Sequence, residues 1–172
     1  MAVMRTQLIS GLVDRLKYNL NRKADRAALF ELGRIFRRDP SVKGSDSAVE
    51  GVYQPLHLAA LVYGSARPAQ WGEKARNFDF FDLKGAVEML LPGRNLRFEK
   101  SNQPALHPGR AATAYLDGEE IGFIGELHPE LAHKYELPHS PIVFELKEEA
   151  LLDIGVPVNR SLSKFQPMSR DI

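Results

Sequence analysis

PALHPGRAATAYLDGEEIGFIGELHPE, residues Pro104 to Glu130, reads as two strands folded back on each other and running into a helix. Asp117-Gly118 supplies the positive φ angles of a two-residue hairpin turn. Before it, Ala112, Ala114 and Leu116 alternate with Thr113 and Tyr115; after it, Ile121, Phe123 and Ile124 surround Gly122 and Gly125. Glycine inside a strand weakens it unless something packs close, so this pair predicts a near neighbour on that strand. His128-Pro129-Glu130 then predicts a helix start, with Pro129 at the first helical position, where a missing N–H costs nothing.

Working outward, the amino-terminal side offers a helix, with Thr6 as its cap and Leu8, Leu12, Val13, Leu16 and Leu20 on one face. Ala27 to Phe36 reads as an apolar strand covered on both faces, with Gly33 marking close backbone approach. Arg37 to Pro55 is polar and long for a connection, which predicts a functional or mobile loop. Leu56 to Gly64 is a second buried strand, and Trp71 beyond it is expected to pack on the sheet edge or, as the alternative, to serve as a ligand platform. A second helix opens at Phe78, with Asp79 or Asp82 suited to its first turn. Phe80, Leu83, Val87, Leu90 and Leu91 form its buried face, and Pro92-Gly93 stop it. Leu96–Lys100 and Pro141–Leu146 read as strands, Lys147–Asp153 as a short helix and Gly155–Ile172 as an extended tail. Six strands joined by hairpins and long loops, with four helices, predict an α+β fold on a mainly antiparallel sheet.

At 172 residues, 44% hydrophobic and 26% charged, the chain suits one soluble domain with a real core. No apolar run approaches the ~20 residues that cross a bilayer, so no membrane role is expected. There is no cysteine, hence no disulfide and no thiolate metal site, a pattern that fits the cytoplasm. The net charge of +1 hides an asymmetry: residues 1–43 hold 10 Lys/Arg against 4 Asp/Glu, the rest 13 against 18. Such a basic third suits an acidic partner or nucleic acid, or is simply a wet helix face.

Chemistry-bearing motifs are sparse. His57, His107, His128, His133 and His139 show no i, i+4 pairing of a helical zinc site, so no metal ligand is assigned. There is no G-x-S-x-G, no phosphate loop and no G-x-G-x-x-G, and no catalytic residue is assigned. One segment stands out. In Phe36-Arg37-Arg38-Asp39, the planar fork of Arg37 matches phosphate oxygens, which makes it a weak candidate for nucleotide binding.

Taken together, RTQLISGLVDRLKYNLNR, LFELGRIF, WGEKARNFDFFDLKG, LHPGR and IGFIGELHPEL resemble, in order and spacing, the catalytic-like module of the bacterial phenylalanine–tRNA ligase beta subunit. The resemblance runs from about Met4 to the carboxyl end. It implies a class II aminoacyl-tRNA synthetase-like fold, an antiparallel β-sheet flanked by helices. It also implies a heterotetramer of two alpha and two beta subunits, in which alpha activates phenylalanine with ATP and magnesium and the beta module is catalytically silent. Phe36-Arg37-Arg38-Asp39 fits the aromatic-Arg-x-acid start of class II motif 2, with LHLAALVYG as its return strand. PIVFELKEEALLDIG, where motif 3 is expected, has neither its arginine nor its glycine pair, and motif 1 is expected upstream of Met1.

The resemblance divides the chain into a silent module, 1–160, and a truncated linker toward the anticodon-binding domain, 161–172, which contains SKFQPMSRDI. The chain is thus expected to be a non-catalytic fragment that supports the alpha subunit. The editing site and the tRNA contacts are expected in other domains. Two rival readings are a self-sufficient adenylate-forming enzyme that uses Arg37 on ATP, and a stand-alone RNA- or protein-binding domain. The missing motif 3 arginine counts against the first and the truncated tail against the second.

Overall fold

Asp117 and Gly118 both take positive φ, 52° and 96°, and close the predicted hairpin. A computed structural model describes residues 4–45, 48–68 and 70–152. In chain order these form α1 (Ile9–Leu20), β1 (Ala27–Arg34), β2 (Arg37–Arg38), β3 (Val52–Tyr53), β4 (Leu56–Tyr63), α2 (Phe80–Leu90), β5 (Leu96–Lys100), β6 (Leu106–Leu116), β7 (Glu119–Leu127), α3 (Pro129–Lys134), β8 (Ile142–Lys147) and α4 (Glu148–Leu152). The main sheet runs β1-β4-β8-β7-β6-β5, with every neighbouring pair antiparallel. The expected α+β architecture is present. The tail beyond Leu152, including the division at residue 160, lies outside the described residues.

The hairpin is irregular in an informative way. On β6, His107 to Arg110 stand opposite Glu126 alone, so Pro108 falls in a bulge where it interrupts no ladder. On β7, Ile121 is the extra residue between Gly122 and Glu120, and the bulge lets Ile121 and Ile124 share one core cluster. Both glycines meet backbone, as their placement predicts. A Cβ at Gly122 would lie 2.0 Å from the carbonyl of Glu145 on β8, and one at Gly125 would lie 2.8 Å from Ala111 on β6.

Each face of the sheet carries its own core. On one, α1 packs Leu8, Leu12, Val13 and Leu16 against Ala59, Leu61, Val143 and Leu127. On the other, α2 packs Leu83 and Val87, with Leu91 just beyond it, against Ala114, Ile124, Phe144 and Leu146, and α4 adds Ala150 and Leu151. Asp79 and Asp82 both serve the start of α2 in a reciprocal capping box. Arg76 grips Asp82 through two hydrogen bonds of 2.6 and 2.7 Å, and these hold that carboxyl below its usual range. His128 caps α3, and Pro129 is its first residue.

Several expectations need correction. Thr6 does not cap α1; the cap position is Leu8, and its N–H donates to Glu145 Oε2 at 2.8 Å. β1 is not covered on both faces. It is the sheet edge, α2 packs against β7 and β8, and Phe30 is left 79% exposed. What approaches Gly33 is the Arg5 guanidinium, not backbone. Leu90 faces solvent while Leu91 is buried. The polar stretch 37–55 holds a small hairpin, β2 with β3, that its composition did not announce.

Candidate functional site

Arg37 lies on β2, exposed, opposite Tyr53. Arg38 beside it is exposed as well. At this end of the sheet a cavity of about 350 Å³ is lined by Arg34, Val42, Val52, Tyr53, Glu148 and Glu149, among others. Its one cation, Arg34, donates to the Gln54 carbonyl at 2.8 Å. One guanidinium, already bonded to a main-chain carbonyl, gives the phosphates of a nucleotide few converging donors in this cavity.

Four of the five histidine side chains have partners. His57 and Glu145 are buried together, with Nδ1 2.9 Å from Oε1. The other carboxylate oxygen accepts the Leu8 N–H, so both oxygens of Glu145 have partners. The pair ties β4, β8 and the start of α1 in one knot without reaching solvent. His139 stacks on Tyr63 with ring centroids 4.0 Å apart. Burial favours the neutral form of both: it pushes the phenol up and the imidazole down. His107 and His128 each accept an N–H two residues on. No three His, Asp or Glu side chains gather into a metal-holding group among the described residues.

A larger cavity, about 680 Å³, opens at the start of α2, lined by Phe78, Phe80, Phe81, Arg110, Glu126 and His139, among others. Its charges are already matched. Arg110 pairs with Glu126 at 2.7 Å, and Asp79 accepts the first free N–H groups of the helix. It is an apolar groove with no spare charge to orient a ligand.

The least ordinary surface is the free edge of the sheet. Cross-strand register strings Phe30, Ala60, Phe144, Ile124 and Ala112 into one row, and Leu32, Leu58, Leu146, Gly122, Ala114 and Phe98 into the next. The second row is apolar from end to end, and the first is apolar until it meets Lys100 on β5. They are buried at β8, but at β1 Phe30 is 79% and Leu32 54% exposed. Trp71, expected to pack on the sheet edge, is fully exposed instead. The strand pattern AALFELGRIF does show the apolar residues of β1, but not that their cover is missing.

Residues 1–147 match the family profile described as the phenylalanyl tRNA synthetase beta chain CLM domain. The chain belongs to that family. It is 50% identical over its whole length to the phenylalanine–tRNA ligase beta subunit of Burkholderia pseudomallei, and spans 21% of that protein. The beta subunits of Dechloromonas aromatica and Neisseria gonorrhoeae are 50% and 49% identical, again with 21% of each spanned. For a CLM domain the expected class II-like arrangement, an antiparallel sheet with helices on its faces, is what the coordinates contain. The LHLAALVYG segment lies on β4 and pairs with β1, whereas the Arg37–Arg38 strand β2 pairs with β3. No helix among the described residues is long and apolar enough to cross a membrane.

Proposed function

We propose that this chain is a non-catalytic structural module of a phenylalanine–tRNA ligase beta subunit. It supports the attachment of phenylalanine to its tRNA by a cytoplasmic heterotetramer of two alpha and two beta subunits. Residues 1–160 form the module and 161–172 lead toward the next domain. ATP and magnesium are bound by alpha, and tRNA is met by other parts of the longer beta chain. The observation that carries this reading is similarity along the whole of this chain to about a fifth of a beta subunit, combined with a candidate motif 2 arginine that has no converging partner among the described residues. Arg37 stands exposed on a two-residue strand, beside a cavity with more carboxylates than cations.

A phenylalanine-dependent ATP–pyrophosphate exchange assay on the purified chain tests it. The expected result is no exchange above background. Exchange that disappears in Arg37→Ala would overturn the reading in favour of a self-sufficient adenylate-forming enzyme.

A further inference from the structure

We infer, independently of the function just proposed, that His139 is a proton-operated latch: neutral, it stacks on Tyr63; protonated, it leaves that stack for Glu126 in the groove at the start of α2. His139 stands in the bend between α3 and β8, outside any helix or strand and exposed, so solvent protons reach it. Its ring lies 4.0 Å from that of Tyr63 and 9° from parallel, and Nδ1 is 3.2 Å from the phenol oxygen. A neutral imidazole has one N–H and one accepting nitrogen. With the proton on Nε2, Nδ1 accepts the Tyr63 O–H, and the stack and the hydrogen bond are both satisfied.

Protonation makes both ring nitrogens donors. Nδ1–H then faces the phenol oxygen, whose own proton must turn away. Tyr63 is 4% exposed and its hydroxyl has no other partner among the described residues. A buried hydroxyl without an acceptor is unfavourable. A cation keeps some attraction for a phenol face, so it is the hydroxyl, not the ring, that the new charge upsets. Burial of the stacked ring also holds this imidazole below its ordinary range. Among the charges around it, Glu126 on β7 lines the same cavity and favours the charged ring. Arg110 on β6 pairs with Glu126 through Oε2 only, which leaves Oε1 to accept from an imidazolium. Asp79 lines the cavity as well, but its carboxylate already accepts the first N–H groups of α2. Glu136 in the bend is held by Lys17 of α1, and His133 and Lys134 on α3 are exposed. Before β1, Arg26 lies over the Phe78 ring with Asp25 next to it in the chain, both exposed. Glu126 is therefore the carboxylate that a charged His139 reaches without breaking a helix cap or the tie to α1.

Ring resonances of histidine, tyrosine and phenylalanine in the isotope-labelled chain are followed by NMR from about pH 8 to pH 5, the range in which histidine titrates. We expect His139 to carry its proton on Nε2 at the upper end and to titrate below an ordinary histidine. The Tyr63 and Phe81 rings are expected to shift with the same midpoint, Tyr63 as the stack opens and Phe81 as the imidazolium enters the groove that it lines. Tyr63→Phe removes only the hydroxyl and is expected to shift the His139 midpoint upward; Glu126→Gln removes the carboxylate that favours the charge and is expected to shift it downward. A Tyr63 ring that stays fixed while His139 titrates overturns the latch, as does an unchanged midpoint in a folded Tyr63→Phe chain. If that variant does not melt cooperatively, titration of the unaltered chain decides. A Tyr63 shift that persists unaltered in Glu126→Gln overturns Glu126 as the destination. Loss of amide dispersion above the His139 midpoint overturns the latch too, because the fold would then fail before the ring moves.

Discussion

Glu145 is a carboxylate 1% exposed, and each of its oxygens has a donor from a different element. Removing a buried acceptor leaves its His57 partner unsatisfied, at a cost of about 1–3 kcal/mol. Glu145→Ala also takes away the acceptor at the start of α1, where free N–H groups need one. We expect Glu145→Ala to lower the unfolding free energy in urea by about 3 kcal/mol or more, with Glu145→Gln milder because an amide oxygen still accepts. A loss below about 1 kcal/mol for the alanine variant would mean that this knot is not part of the folded core. In the sequence Glu145 sits inside PIVFEL, where it looks like an outward-facing strand residue. Nothing local distinguishes it, because its partners are 88 and 137 positions away.

Among the elements, the hairpin β6–β7 was the most legible and its glycines separate two effects. Gly118 has φ +96° and no atom within 4 Å of an added Cβ, so Gly118→Val is charged for conformation alone, roughly 1 kcal/mol. Gly125 is extended, but its Cβ would strike the backbone of Arg110 and Ala111 at 2.8 Å. Relieving that contact requires strand movement, and we expect Gly125→Ala to cost more, about 1–3 kcal/mol. Denaturation midpoints of the two variants at equal slope would check the order; a Gly118→Val midpoint equal to that of the unaltered chain would rule out the turn. The helices were read with less uniform success. α2 carries its stop and start signals in its own residues, and Asp79 with Asp82 cap it as read. α1 does not, since its acceptor comes from β8.

At the scale of the whole molecule, the chain spans 21% of relatives such as the Burkholderia pseudomallei beta subunit. A stable interface usually buries about 1,600 Å² in total, and the remaining length of a beta subunit adds surface that these residues lack. We expect the present chain to bind alpha, and to bind it more weakly than a full-length beta subunit does. Titrating both against the same alpha preparation at fixed salt checks this, and equal affinities would place the whole contact within these 172 residues.

Sequence by itself determined the main elements and the family, though not the small β2–β3 hairpin. Periodicities of 2 and 3.6, an Asp-Gly turn, capping aspartates and a proline at N1 are all set by neighbours in the chain, so they can be read there. Tertiary structure decided which apolar residues are core. Phe30 and Ile124 lie in the same cross-sheet row, yet one is 79% exposed and the other fully buried. The difference lies in strand order, which places β7 beneath α2 and leaves β1 at the rim. Burial is a property of what comes to lie above a residue, and for β1 no neighbouring stretch of chain encodes that. The same holds for Arg37. Its motif is local, but a nucleotide clamp requires several groups to converge from distant strands, and the cavity beside its strand brings together two carboxylates and one guanidinium.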